Sequence, residues 1–261
     1  LNIKKIFLIY MRLIQLTDIH LTASCTKLVR GSNPLVNFKH ALQEVIAHSP
    51  DMLIITGDIC HDESNGGYLQ FQKALEVVPN SIGLAVIAGN HDNPSLMKEV
   101  FEEKINIGPS ELIFDNARLI TLCSHLSNSD KGKLGVKQLN WLKERLIDKR
   151  HRGKPLLIAL HHQPLKIGDK FWDSIGLIDS NQLIEILKPI SELKAVIFGH
   201  MHQHWEGQLT CREDVQLLAS PSTLCSFASI QPCPLGKPDN IGGRLIEIDK
   251  EGNFNQTLLR W

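Results

Sequence analysis

The sequence has no charge excess of either sign: 28 Lys and Arg stand against 28 Asp and Glu. The main electrostatic reason for binding nucleic acid or anionic membranes is therefore missing, and neither partner is expected. It also has no apolar run near the ~20 residues that a membrane-spanning helix needs. The six cysteines, Cys25, Cys60, Cys123, Cys211, Cys225 and Cys233, form no C-x-x-C pair. They are spread along a chain too long to need disulfide staples, so reduced thiols in a cytoplasmic protein are expected. Internal repeats, low-complexity stretches and linkers are absent. With 261 residues, 43% of them hydrophobic, the chain suits one large domain or two small ones around a sizeable core.

The first ten residues stand apart. Lys4-Lys5 and the run Ile6–Tyr10 imitate the opening of a secretory signal. The run is short, Arg12 interrupts it, and no small-x-small cleavage site follows. Residues 1–10 are therefore expected to be either an extension or an extra strand turn at the N-terminus, and residues 11–261 one domain.

What the chain does have is histidine, 12 in all, several beside Asp, Asn and Gly. Short apolar runs predict strands at Met11–Leu16, Met52–Thr56, Gly83–Ala88, Arg118–Leu122, Leu156–Leu160 and Ala195–Phe198. Asn33-Pro34 supplies a cap and a first-turn proline, and Leu35, Phe38, Leu42, Val45 and Ile46 follow at helical spacing. Tyr68–Val77, Lys137–Ile147 and Asn181–Leu187 also fit helices. Later strands are predicted at Gln203–Leu209, Val215–Ala219, Arg244–Ile248 and Phe254–Leu259, with no helix between them. A βα-rich part thus passes into a β-rich tail.

Five of these strands end in residues able to hold a metal. The segments are Thr17-Asp18-Ile19-His20, Gly57-Asp58, Gly89-Asn90-His91-Asp92, His161-His162 and Gly199-His200-Met201-His202. Ligands of an α/β sheet gather outside the carboxyl ends of its strands. Asp18, His20, Asp58, Asn90, His161, His200 and His202 are too many for one ion. Asp58, on a middle strand end, is the natural bridge between two. Carboxylate, imidazole and amide without thiolate suit Mn, Fe, Co or Zn. Two such ions ~3.5–4 Å apart can clamp a phosphoryl group. Gly57, Gly89 and Gly199 each precede a ligand, where the chain must turn sharply and pass close to the ions. His40, His48, His61, His125, His151 and His204 read as surface residues or residues behind the ligands. His162 could face the site or pack behind it.

The order D-x-H, G-D, G-N-H-D, H and G-H-x-H resembles the calcineurin-like metallophosphoesterases, with no member missing from Asp18 to His202. LTDIHL at 16–21, TGDI at 56–59, LHHQP at 160–164, GHMHQ at 199–203 and LASPST at 218–223 are similar to the class III cyclic-nucleotide phosphodiesterases, in particular the bacterial 3′,5′-cAMP group. The resemblance implies a four-layer α/β/β/α sandwich of two mixed sheets flanked by helices. It implies one ion held by Asp18, His20, Asp58 and His202, and a second by Asp58, Asn90, His161 and His200. His91 would act on the phosphate or the leaving oxygen, with Asp92 orienting it. The implied reaction is hydrolysis of 3′,5′-cyclic AMP by a metal-bridging hydroxide. Fe and Mn are the expected ions, with Zn or Co as alternatives, and a cyclic nucleotide is the expected small-molecule partner of a cytoplasmic chain or homodimer. Another small phosphodiester or monoester, such as a 2′,3′-cyclic nucleotide or a glycerophosphodiester, and a non-catalytic scaffold are the rival readings. Two departures from the family pattern are Cys123, where relatives often carry Asp, and Gly242-Gly243-Arg244, which lacks their aromatic residue.

Overall fold

The computed structural model describes residues 11–102, 105–210 and 212–261; the extension or extra strand turn expected at 1–10 lies outside them. The elements run β1 (Met11–Leu16), α1 (Pro34–His48), β2 (Met52–Ile55), α2 (Asn65–Ala74), β3 (Gly83–Val86), α3 (Pro94–Phe101), β4 (Asn106–Ile107), β5 (Ser110–Ile113) and β6 (Arg118–Thr121). They continue with α4 (Gly135–Leu146), β7 (Leu156–Ala159), α5 (Lys170–Ser174), α6 (Ser180–Leu187), β8 (Leu193–Phe198), β9 (Trp205–Leu209), β10 (Arg212–Ala219), β11 (Gly242–Ile248) and β12 (Phe254–Arg260).

Two six-stranded sheets result, ordered β12-β11-β1-β2-β3-β4 and β5-β6-β7-β8-β10-β9. β1 to β4 are parallel, and so are β6, β7, β8 and β10. Antiparallel strands close the other positions: β11 and β12 in the first sheet, β5 and β9 in the second. The β-rich tail is thus shared between both sheets. Each is mixed, as expected.

The alternation of side chains along each strand decides the layers. Met11, Leu13, Met52 and Ile54 meet Leu157, Ala159, Ala195 and Ile197 in the slab between the sheets. Their neighbours Ile14, Leu16, Leu53 and Ile55 turn outward onto Phe38, Leu42 and Phe71 of α1 and α2. On the far side Leu156, Ile158, Val196 and Phe198 pack with Leu139, Leu142, Leu183 and Leu187 of α4 and α6. Helix, sheet, sheet and helix therefore form four layers.

Helix starts follow local chemistry. Asn33 accepts a hydrogen bond from the Val36 N–H at 3.1 Å with Pro34 next in line. Asn93-Pro94 repeats the device for α3, where Asn93 Oδ1 accepts from Ser95 and Leu96. No helix is predicted there, because eight residues span only about two turns of apolar spacing. The two-residue β4 and the five-residue α5 are too short to show a period, and the edge strand β5, Ser-Glu-Leu-Ile, is only half-buried and has no continuous apolar run. Among the described residues no helix is long and apolar enough to cross a membrane.

One buried polar side chain stitches the sheets together beside the strand ends. Gln15 Nε2 donates to Thr56 Oγ1 at 2.9 Å and to the Phe198 carbonyl of the other sheet at 2.9 Å. Gln15→Ala leaves that carbonyl without its side-chain donor. The expected loss is about 1–3 kcal/mol, read from the midpoint of urea unfolding; an unchanged midpoint would mean that the tie carries no stability.

Candidate metal centre

The carboxyl ends of β1, β2 and β3 meet those of β7 and β8 at one rim, and the backbone there is cross-tied. The Asp18 N–H donates to the Gly57 carbonyl at 3.0 Å, and the His20 N–H to the Asp58 carbonyl at 2.8 Å. The Gly199 N–H donates to the His161 carbonyl at 3.0 Å, which joins β8 to β7. Ser222 Oγ donates to the Asp18 carbonyl at 2.7 Å.

These ties hold an unfavourable backbone. Asp18, His20, Asp58, His200 and His202 have φ of 53°, 55°, 53°, 68° and 52°. A left-handed residue with a Cβ costs roughly 1–2 kcal/mol, and such residues cluster at working sites. The left-handed turn throws each side chain off the strand line toward the rim. Two preceding glycines make the approach possible. A Cβ on Gly89 would stand 2.1 Å from Asp58 Oδ1, and one on Gly57, at φ 104°, would stand 2.3 Å from His161 Nδ1.

The side chains converge in two groups. In the first, donor atoms of Asp18, His20, Asp58 and His202 all lie within 4.8 Å of one another. His20 Nε2 is 3.0 Å from His202 Nε2 and 3.5 Å from Asp58 Oδ2. Asp18 Oδ1 is 3.4 Å from His202 Nε2. In the second, His161 Nε2 is 3.0 Å from Asn90 Oδ1 and 3.4 Å from Asp58 Oδ1. The His200 ring stands edge-on to that of His161, with centroids 5.1 Å apart. All seven residues singled out from the sequence are brought together, and the two oxygens of Asp58 face different groups.

Ring tautomers point the same way. His161 Nδ1 lies 2.7 Å from the Thr56 carbonyl, and His202 Nδ1 lies 3.1 Å from the Cys225 carbonyl. A carbonyl can only accept, so each Nδ1 carries a proton and each Nε2 is the nitrogen aimed at the rim. His162 is different. Its Nδ1 is 2.8 Å from Ser124 Oγ and its Nε2 is 3.2 Å from the Asp130 carbonyl. Both nitrogens are engaged, and His162 packs behind the site.

The donor set fits cations. Asp18 Oδ1 and His200 Nε2 are buried with no hydrogen-bond partner, a cost that a cation would remove. Burial and neighbouring imidazoles push His20 and His200 well below the usual histidine range, so both are neutral, the form that binds metal. Burial opposes the charge on Asp18 and on His202. Their mutual attraction nevertheless holds the carboxyl low and the imidazole high.

Asp92 corrects an expectation. Its carboxylate accepts from the Ile59, Cys60 and Gly89 N–H groups at 3.1, 3.0 and 2.9 Å and from the Tyr68 hydroxyl at 3.2 Å. Four donors use up its two oxygens, so it braces the turns that carry Asp58 and Asn90 rather than orienting the His91 ring. Burial, then the nearby charge of Asp58, pushes its carboxyl up to about 6. The His91 N–H donates to Asp58 Oδ1 at 2.9 Å. Its ring is flanked by His20 and His61, with centroids 4.9 and 5.4 Å away. Sequence reasoning missed the bracing parts. Ser222 lies in the quoted LASPST stretch, but nothing in that stretch marks its partner. Cys123 stays outside the donor groups, with its N–H on Gln138 Oε1 at 2.8 Å.

The groups form the floor of a cavity of about 800 Å³. His91, Asn90 and Asp58 line it together with Phe171, Trp172 and Phe227. Phe227 stacks on His202 at 4.4 Å and 21°, and the Arg30 guanidinium lies 4.7 Å over its ring.

The sequence model of the family described as "Calcineurin-like phosphoesterase" matches residues 11–204. The chain is 40% identical over 255 residues to a "Probable cyclic nucleotide phosphodiesterase" of Synechococcus sp. (strain WH7803), covering 96% of each. It is 30% identical over 250 residues to a 3′,5′-cyclic-nucleotide phosphodiesterase of Nostoc sp., covering 94% of this chain and 91% of the relative. Among solved structures it is similar to a purple acid phosphatase from yellow lupin, at TM-score 0.67 and 15% identity, covering 97% of this chain and 52% of that one. It is also similar to a dimetal phosphatase from Danio rerio, at TM-score 0.60 and 14% identity, covering 96% and 99%. At such identities these two structures support the fold alone.

The left-handed turns can be tested without metal. Asp58→Gly and Asp58→Ala both remove the carboxylate, but only glycine is at ease at φ 53°. In metal-free protein the glycine variant should be the more stable by about 1 kcal/mol, measured by thermal unfolding. Equal melting would mean that the turn is unstrained.

Proposed function

The chain belongs to the calcineurin-like phosphoesterase family, and on that premise we propose that it is a dinuclear-metal phosphodiesterase that hydrolyses 3′,5′-cyclic AMP to the 5′-monophosphate. The observation that carries this reading is the split of Asp58, whose Oδ2 faces His20 and whose Oδ1 faces His161. A carboxylate so placed can serve two cations side by side, the arrangement suited to displacement at phosphorus. The cyclic-nucleotide substrate is supported by the names of the relatives and by a cavity that aromatic side chains line together with the donors. Residues 11–261 are proposed to act as one domain, since strands from both ends of that span build the first sheet.

In this reading Asp18, His20, Asp58 and His202 hold the first cation, and Asp58, Asn90, His161 and His200 the second. Fe and Mn suit the mixed carboxylate, amide and imidazole donors, with Zn or Co as substitutes. Such ions, when bound, supply Lewis acidity toward the phosphoryl oxygens and toward water. The chain's own residues do the rest. Thr56 and Cys225 carbonyls keep the ligand rings aimed. His91, exposed to the cavity, gives a proton to the 3′-oxygen as its bond to phosphorus breaks. Phe171, Trp172 and Phe227 supply flat apolar surface for the base. Rates for 3′,5′-cyclic AMP, 2′,3′-cyclic AMP, a glycerophosphodiester and a phosphomonoester, measured with Mn²⁺, test the substrate. A preference for any of the last three would replace the proposed one.

Asp58→Ala should lose both ions together, because one carboxylate serves both, and with them activity. Two Mn per chain by elemental analysis of that variant would refute the bridge.

His91→Ala should keep both ions and lose about 10²–10⁴-fold in turnover. The deficit should shrink on an aryl phosphodiester, whose leaving group needs little protonation. An equal deficit on both substrates would assign His91 to the phosphate charge instead.

A further inference from the structure

We propose that His61 is a positioning residue that fixes two imidazoles at once: it takes the ring proton of His20 and sets the plane of His91. The proposal rests on the assignment of His20 as a metal ligand.

The backbone delivers His61 to this place. The Leu21 N–H donates to the Ile59 carbonyl at 2.8 Å, and the His61 N–H donates to the Leu21 carbonyl at 2.7 Å. The segments after β1 and β2 therefore run side by side, and Asp92 grips the second through Ile59 and Cys60. His61 Nδ1 ends 3.3 Å from His20 Nδ1.

Between two facing ring nitrogens, one donates and one accepts. His20 Nε2 is aimed into the donor group of Asp18, Asp58 and His202; as a metal ligand it offers its lone pair there, which leaves its proton on Nδ1. The Nδ1 of His61 is then the acceptor, and the proton of His61 sits on Nε2. Ligating histidines almost always donate their second N–H to such a partner. For His161 and His202 that partner is a carbonyl; for His20 it is a third imidazole.

The same ring has a second use. Its plane lies 20° from that of His91, with centroids 5.4 Å apart, while His20 meets His91 edge-on at 76°. The carboxylate of Asp92 is saturated by other donors, so His91 takes its orientation from these two rings. Only an acceptor on a flat ring does both tasks, and the two can be taken apart. Asn has an acceptor oxygen and no ring; Phe has a ring and no acceptor.

Mn²⁺ titration followed by calorimetry, together with kcat on a poor and a good leaving-group diester, reads each task separately. His61→Phe should weaken Mn²⁺ at one of the two sites by about 10–100-fold and keep the parental dependence on leaving group. His61→Asn should keep both affinities. It should lose roughly 10–100-fold in kcat on 3′,5′-cyclic AMP and little on bis(p-nitrophenyl) phosphate. Parental Mn²⁺ affinity in His61→Phe overturns the proposal. So does equal weakening of both sites in both variants with a lowered melting temperature of the metal-free protein, which would mark His61 as merely structural. His20→Ala is the control: parental affinity there would refute the ligand assignment itself, and the proposal with it.

Discussion

Two carboxylates buried within one rim, Asp58 and Asp92, set the terms for everything around them. Burying like charges close together is expensive unless each is fully engaged. The fold engages them differently. Asp92 is wrapped in backbone N–H groups and the Tyr68 hydroxyl, and its carboxyl still rises to about 6. Asp58 receives the His91 N–H and otherwise looks onto imidazole nitrogens. One carboxylate is spent on holding loops in place, and the other is left open toward the cavity. That division explains why two neighbouring acids of the same type serve opposite ends.

The sheets make this arrangement rigid. Each donor comes from a turn that leaves a strand buried at its carboxyl end, and the strained left-handed residues sit two to four positions beyond the strand ends. Strain of this kind persists only where the surroundings over-determine it. Here the over-determination is visible as cross-sheet bonds from Gln15 and Ser222 and as close glycine contacts that leave no room for relaxation.

Much of this could be read from the chain itself. The apolar runs mark ten of the eleven strands of at least four residues, all but β5, and most plainly the strands buried on both faces, which read as continuous apolar runs. The donors were legible because each follows such a run directly. What stayed hidden depends on partners remote in sequence. That Asp92 serves Ile59 and Cys60 rather than its neighbour His91 is a fact of packing. That His61 differs from His125 or His48 follows only from where the turn after β2 lies against the turn after β1. The α3 helix was legible in principle, since Asn93-Pro94 repeats the Asn33-Pro34 start.

The place of β1 in the first sheet carries a consequence for how the molecule is made. β1 lies between β2 and β11, with Met11 opposite Ile248. The strand that leads to Asp18 and His20 is synthesised well before β11, so one of its edges finds its partner only after everything between Leu16 and Gly242 has followed. Pairings of such high contact order form slowly, and an open strand edge is meanwhile a template for the wrong neighbour. The earliest donors synthesised are therefore among the last to be locked, and a chain interrupted before residue 242 would carry them on an unfinished, adhesive sheet.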